Sequence, residues 1–171
     1  MPQLDETAQD IVRRFGLTPH PEGGYYREVY RSGVAIEHPA IPPGERSQRA
    51  VGTFIYYLLP QGQFSAFHRV KWSDEIWHLY AGGPLELHLI DADGAYRVTT
   101  LQSAVDGGEP VAVVPAGWWQ AARPAPGTRW ALCGCTVTPG FDFADFEMPA
   151  ADELLARFPA HAETIRALTR G

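Results

Sequence analysis

From Gly24 to about Ala144 the chain is cut into short runs rich in Val, Ile, Tyr, Trp, Phe and Thr by the turn-forming clusters "PQGQ", "AGGP", "DADG", "DGGEP", "PAG" and "PAPG". Nothing else constrains the fold as strongly. Gly, Pro and Asp at this cadence end extended segments, which is the pattern of an antiparallel sandwich or barrel. The strands predicted are about 24–32, 50–59, 63–70, 75–80, 85–91, 95–101, 111–114, 118–123 and 129–138. Helical spacing is confined to the two ends. Ala8, Ile11, Val12 and Phe15 mark a helix over about 5–16, with Asp5 or Thr7 placed to cap it and Gly16 to end it. "AADELLARF" and "AHAETIRALT" repeat the helical spacing over about 151–169, divided by Pro159. No repeat or long linker divides the chain, and 171 residues with 45% hydrophobic side chains suffice for one core, so a single domain is expected over 1–171 with its barrel at about 24–144.

Charge narrows the partners. Fourteen basic residues stand against 20 acidic ones, a formal charge of −6, and no basic run interleaved with aromatics could track a phosphate backbone. Nucleic acid is therefore not an expected partner. The first residues, "MPQLDETAQDIVRRFGL", are acidic before they are apolar, and no window approaches a bilayer span, so a cytoplasmic protein with no membrane partner is expected. Cys133 and Cys135 are i, i+2 neighbours that share a strand face and are poorly placed to bridge, so they are read as small buried hydrophobes.

The stretch "FHRVKWSDEIWHLYAG", residues 67–82, places His68 and Glu75 seven apart in an aromatic-rich run. With five residues between Gly62 and His68 and six between Glu75 and Gly82, it resembles the first motif of the cupins, small β-barrels, except that Val70 stands where a second His would be. "GEPVAVVPAGWWQAARP" resembles their second motif through Pro115 and Gly117, with Gln120 in the histidine place, Gly108 one residue early and Pro124 for the Asn. The blocks "LTPHPEGGYYREVYRS", "GTFIYYLLPQGQFSAFHRVKWSDEIWHLYAGGPLELHLI", "VVPAGWWQAARP" and "PGFDFADFE", spanning about 17–147, are similar to the cupin-5 branch, long labelled a domain of unknown function. The resemblance implies an all-β fold, a jelly-roll barrel or double-stranded β-helix, commonly paired as a homodimer, and brings no settled reaction.

It also implies that His68, Val70, Glu75 and Gln120 converge near one end of the barrel interior. A transition metal on this scaffold wants imidazoles and carboxylates, whereas valine donates nothing and an amide is a weak ligand, so no metal and no other cofactor is expected. Any weak metal site would use His68, Glu75 and Gln120. Without a metal, Glu75 accepting a hydrogen bond from His68 would hold its tautomer and make it a general base. Certain metal-free cupin-fold sugar epimerases pair such a His with a Tyr acid, which points to proton transfer beside a carbonyl, an isomerisation or a lyase step, with Tyr25, Tyr26, Tyr56 and Tyr57 as acid candidates. Gln120, Trp77, Trp118, Tyr57 and Arg27 are the candidate contacts for a small polar ligand, sugar-like or carrying a carboxylate or phosphate.

Two other readings compete with this one: a binding protein without turnover, and a metal-dependent enzyme with a depleted site. A purely structural His68–Glu75 pair is a third use of the same residues. Strand alternation sends His78 outward from an inward Glu75 and Trp77, and places Glu86 and His88 opposite the three leucines of "LELHL". It also puts Tyr25, Arg27, Val29 and Arg31 on one face and Tyr26, Glu28 and Tyr30 on the other, in a strand expected to pair with a second subunit. Asp142 or Asp145 in "PGFDFADFE" is a candidate for the barrel mouth.

Overall fold

A computed structural model describes residues 6–170. The helix expected at the start is α1 (Glu6–Phe15); Asp5, one of its two candidate caps, lies outside the described residues, and Thr7 stands within the helix. Thirteen strands follow among the described residues: β1 (Thr18–Pro19), β2 (Tyr25–Arg31), β3 (Ala35–Glu37), β4 (Gln48–Ala50), β5 (Thr53–Pro60), β6 (Ser65–Val70), β7 (Asp74–Gly82), β8 (Leu85–Ile90), β9 (Tyr96–Leu101), β10 (Val111–Val114), β11 (Trp119–Pro124), β12 (Trp130–Thr138) and β13 (Phe146–Glu147). Two helices close the chain, α2 (Ala151–Arg157) and α3 (Ala162–Ala167), parted by a 3₁₀ turn that starts at Pro159.

The strands form a six-stranded sheet in the order β1-β2-β5-β12-β7-β10 and a five-stranded sheet in the order β13-β6-β11-β8-β9, with β3 and β4 as a separate ribbon. Every main-sheet pairing is antiparallel. Strands that are not neighbours in sequence pair with one another, as a jelly roll requires. The nine strands expected are all present, within a few residues of their ends; β1, β3, β4 and β13 are too short, at two or three residues, to show a period.

Period-two alternation divides the apolar residues into three clusters. Inward residues Tyr57, Leu59, Trp77, Leu79, Leu85, Leu87, Leu89, Val114, Cys133 and Cys135 fill the barrel. On the outer face of the five-stranded sheet, Phe67, Ile90, Trp119 and Ala121 pack under Leu154, Phe158, Ile165 and Leu168 of the final helices. On the outer face of the larger sheet, Leu58 and Leu132 pack under Ala8 and Leu17, against the flanks of Ile11, Val12 and Phe15. The terminal helices thus cover apolar strand faces that alternation turns away from the barrel. His88, on the outer face as expected, is buried there with Nδ1 2.7 Å from the Tyr96 hydroxyl. His78 is also outward, stacked on Tyr80 with Nε2 3.3 Å from Thr136 Oγ1.

One buried ion pair ties the ribbon to the chain leaving the barrel. Both nitrogens of the Arg49 fork meet Asp145 at 2.7 Å, and both side chains are only 3% exposed. Asp145 therefore sits beneath the mouth as an anchor. Taking away one partner of such a pair leaves a buried charge and costs about 3–5 kcal/mol. Asp145→Asn is expected to lose about that much unfolding free energy in urea titration, and the double variant Arg49→Met, Asp145→Leu to recover most of it. An Asp145→Asn variant as stable as the parent would remove the anchoring role.

Candidate functional site

Inside the barrel lies a cavity of about 300 Å³, at the lower end of the range for small-molecule sites. His20, Glu22, His68 and Glu75 are its titratable lining; Ile55, Val70, Val137, Cys135, Phe141, Phe143 and Phe146 supply the apolar wall, and Tyr26, Glu28, Arg31, Thr53 and Asp142 the remainder. Each enters from a definite element. β6 turns His68 and Val70 inward while Phe67 and Arg69 face out, because residues two apart share a face.

His68 and Glu75 both line the cavity, but the carboxyl in direct contact with His68 is that of Glu22. His68 Nδ1 lies 2.8 Å from the carbonyl oxygen of Ala66, which can only accept, so Nδ1 carries the proton. Nε2 is left facing Glu22 Oε2 at 3.2 Å. Two unprotonated groups would repel at that distance, so the contact is favourable when either imidazole or carboxyl carries a proton. The other Glu22 oxygen accepts from Ser65 Oγ at 3.0 Å. His20 accepts at Nδ1 from the Glu22 amide at 3.3 Å and stands edge-on to Tyr26, with ring centroids 4.4 Å apart.

Glu22 is reached by the tight turn "HPEGG", which stands before β2. Its carbonyl accepts from Ala66 N at 2.8 Å and Arg170 Nε at 3.1 Å, and the Tyr57 hydroxyl donates to Gly23 O at 2.6 Å. Gly23 has φ +116, and a Cβ there would run into the Phe64 carbonyl and the Arg170 guanidinium. Glycine is required at this position.

Glu75 is held separately. The Trp77 indole can only donate, and it meets Gln120 Oε1 at 2.9 Å; this turns the amide so that Nε2 donates to Glu75 Oε2 at 2.6 Å. Gln120 and Trp77 are both 1% exposed and stand behind the cavity wall, fixing Glu75. Tyr57 is equally buried and braces the turn. Trp118 packs against the barrel core beneath the Arg97 guanidinium, 4.3 Å from its ring, and Arg27 lies on the outer face over the Tyr56 ring at 5.8 Å. None of these five lines the cavity.

Arg31 does. A bulge at Val29 breaks the alternation of β2, so that Tyr26, Glu28 and Arg31 stand opposite Tyr57, Ile55 and Thr53, which face inward. Arg31 and Arg27 therefore lie on opposite faces, against the uninterrupted alternation expected. Arg31 donates to Glu28 through Nε at 3.1 Å and Nη2 at 2.7 Å, and to the Phe141 carbonyl through Nη1 at 3.0 Å.

Burial dominates the ionisation of the whole group. It lowers His68 and His20 below the usual imidazole value and raises Glu22 and Glu75 above the usual carboxyl value; the charge of Glu75 partly restores His68, and that of His20 partly restores Glu22. Burial likewise raises the Cys133 thiol to about 12 and that of Cys135 well above its usual value, so neither is a ready nucleophile. For the cupin metal, the ring nitrogens of His68 are directed at Ala66 O and Glu22, both ends of the Gln120 amide are taken, and Val70 donates nothing. Among the described residues no three His, Cys, Asp or Glu side chains are grouped to hold a metal ion. The site does not fit one.

With fold and site in view, the chain belongs to the cupin superfamily, matching the family described as "Cupin superfamily (DUF985)", the cupin-5 branch, over residues 9–149. It is similar to an uncharacterized protein of Saccharomyces cerevisiae, YML079W, at 31% identity, covering 90% of this chain and 81% of the yeast one. Among solved structures it is similar to a hypothetical protein from Leishmania major, with 32% identity, a TM-score of 0.83, and 99% and 100% of the two chains covered. Protein SO0799 from Shewanella oneidensis is also similar, at 35% identity and a TM-score of 0.82, with 95% and 97% covered.

The opposed shifts give opposed pH signatures. His68 is lowered, so its contribution to stability is complete above its ordinary value of 6.5 and is lost as pH falls below it. Glu22 is raised, so its contribution is complete below 4.5 and is lost as pH rises above that. Unfolding free energies at pH 7 and pH 5 should therefore show that acidification costs His68→Asn less than the parent, and Glu22→Gln more. Shifts of the same sign in both variants would contradict this assignment.

Proposed function

We propose that the protein binds a small polar molecule in the barrel cavity and transfers a proton on it, as an epimerase, isomerase or lyase acting at a carbon beside a carbonyl. The observation that carries this is the approach of His68 Nε2 to Glu22 Oε2, 3.2 Å apart on the wall of a cavity that Glu75 also lines. Glu75 takes the proton from the carbon and the His68–Glu22 pair gives one to the carbonyl oxygen, leaving an enediol; the hydroxyl on the neighbouring carbon then gives a proton back to the pair while Glu75 delivers its own to the former carbonyl carbon, which moves the carbonyl by one position and restores both groups. A carboxyl raised by burial is a stronger base than a free one, and base strength near the working pH favours transfer. Gln120 and Trp77 hold Glu75 in place, and Tyr26 is the tyrosine on the cavity wall, so it takes the place of acid candidate that Tyr57, bound to Gly23, is not free to fill.

Deuterium exchange in heavy water tests this on a panel of α-hydroxy ketones, aldoses and keto acids. Wash-in beside the carbonyl is expected with at least one class, and to fall by about a hundredfold or more in His68→Asn and Glu75→Gln, with the fold retained. Exchange unchanged in both variants would sink the reading. A carrier that binds without turnover is favoured by one feature, that the four buried polar groups already satisfy one another, and it would show as binding with no exchange. In that case His68→Asn weakens binding. A large drop in melting temperature with binding intact would mean that His68 only holds the barrel together.

The same proposal includes a homodimer. β2 pairs on one side with β5 but on the other only through Thr18 and Pro19, which leaves the edge from Arg27 to Arg31 open, with Val29 and Tyr30 exposed. Open edges of this kind are normally covered. Light scattering is expected to give twice the chain mass at micromolar concentration; a stable monomer would remove this part.

A further inference from the structure

We infer that the cavity selects an organic cation, an ammonium group on an apolar body, over neutral and anionic molecules of the same shape. The inference rests on the reading that this cavity is the ligand site, and it names the chemical class of that ligand.

Charge is the first observation. The lining holds four carboxyls, Glu22, Glu28, Glu75 and Asp142, against one guanidinium, Arg31. That guanidinium is already spent, with three of its nitrogens given to Glu28 and the Phe141 carbonyl. No lysine lines the cavity. An incoming carboxylate or phosphate would thus find no free cationic partner and would be buried against Glu22 and Glu75, whereas a cation meets carboxyls with acceptor capacity left over. The net charge of −6 adds attraction for cations at longer range.

The aromatic mouth is the second, independent observation. Phe141, Phe143 and Phe146 line the cavity with their rings set nearly perpendicular in pairs: 81° at 5.0 Å, 69° at 6.0 Å and 75° at 6.1 Å. The three rings pack edge to face as one aromatic cluster on the cavity wall. Phe146 uses one face against the His68 ring at 5.3 Å, while Phe143 is 57% exposed, more than packing alone would leave for a phenylalanine. Tyr26 adds a fourth ring to the same lining. Aromatic faces attract cations through the ring quadrupole, and an apolar wall of Ile55, Val70 and Val137 suits the alkyl groups such a cation carries.

The groups that titrate at this site are His20, Glu22, His68 and Glu75 within and Glu28 and Asp142 nearer the mouth, with Arg31 as fixed charge. Raised carboxyls must lose protons to meet a cation, so binding should strengthen as pH rises above the ordinary carboxyl value of 4.5 and release protons.

The test is an NMR titration of the full chain with three probes of one shape: choline, its neutral isostere 3,3-dimethylbutan-1-ol, and the anion 3,3-dimethylbutanoate. Choline is expected to shift the Phe146 and His68 resonances and to bind at least about tenfold more tightly than the alcohol, with no binding by the anion. Phe143→Ala, at an exposed position, should erase most of that preference without loss of melting temperature, and Glu75→Gln should do the same from the other end of the cavity. Equal or tighter binding of the alcohol or the anion would overturn the inference, as would no shift with choline at 50 mM, a concentration of the order of weak millimolar binding. Either result leaves the proton-transfer reading to the exchange experiment, since loss of exchange in His68→Asn does not depend on which probe binds. Cation selectivity with exchange unaltered in that variant would uphold the ligand class and remove the chemistry.

Discussion

A carboxyl cannot be carried into an apolar barrel unless something there meets it, and the structure around Glu22 is arranged by that requirement. Its two oxygens find Ser65 and His68, both on β6, and its backbone carbonyl finds Ala66 on the same strand. Three successive points of contact fix the turn against β6 like a short added strand. The bracing groups come from far apart in sequence: Tyr57 from β5, and Arg170 from beyond the last helix, whose side chain also reaches the Phe64 carbonyl. The end of the chain and its beginning are therefore joined at the functional site, and a buried polar group supplies the reason.

Around Glu75 the two cupin motifs build a hydrogen-bonded frame. An imidazole at residue 120 would present one free nitrogen to the interior; the glutamine presents an amide whose two ends are polar in opposite senses. Trp77, with a donor and nothing else, determines which end faces Glu75. The carboxyl is thereby oriented by a neutral group, and burial raises it despite the opposing influence of His68.

Much of this was legible in the residues, and the limits are physical. Strand positions followed from alternation and turn chemistry because those signals are local and repeat over five or more residues. His68 and Glu75 could be singled out because they sit at fixed spacing within such strands, and His78 and His88 could be set aside by the same alternation. Glu22 could not be found that way: it lies in a turn without period, and its partner is 46 positions further along the chain. The signal was present only as "HPEGG", a pair of glycines after a carboxyl, which marks a tight backbone path and not what the path approaches. Arg31 was misplaced for a different reason. A bulge adds one residue at Val29 without changing composition, and everything after it turns to the other face. Arg27, by contrast, precedes the bulge and remains outside.

The aromatic mouth depends on a segment with little regular structure of its own, and its placement has to come from elsewhere. Residues 141–147 contain only a 3₁₀ turn and the two residues of β13. They are fastened at several separate points: the Phe141 carbonyl by Arg31 and its amide by Thr53, Asp145 by Arg49 and by the amide of Lys71, and Glu147 by Arg69 at 2.6 Å. These partners come from β2, β4, β5, β6 and the loop after β6, so that both sheets and the ribbon each hold the segment. Because the bonds lie along its backbone and its acidic side chains, the three phenylalanines are left free to turn toward the cavity and toward one another. A segment held by its polar groups with its apolar side chains unspent is the reverse of ordinary core packing. It presents aromatic faces to whatever enters the barrel, at positions that the ion pairs determine.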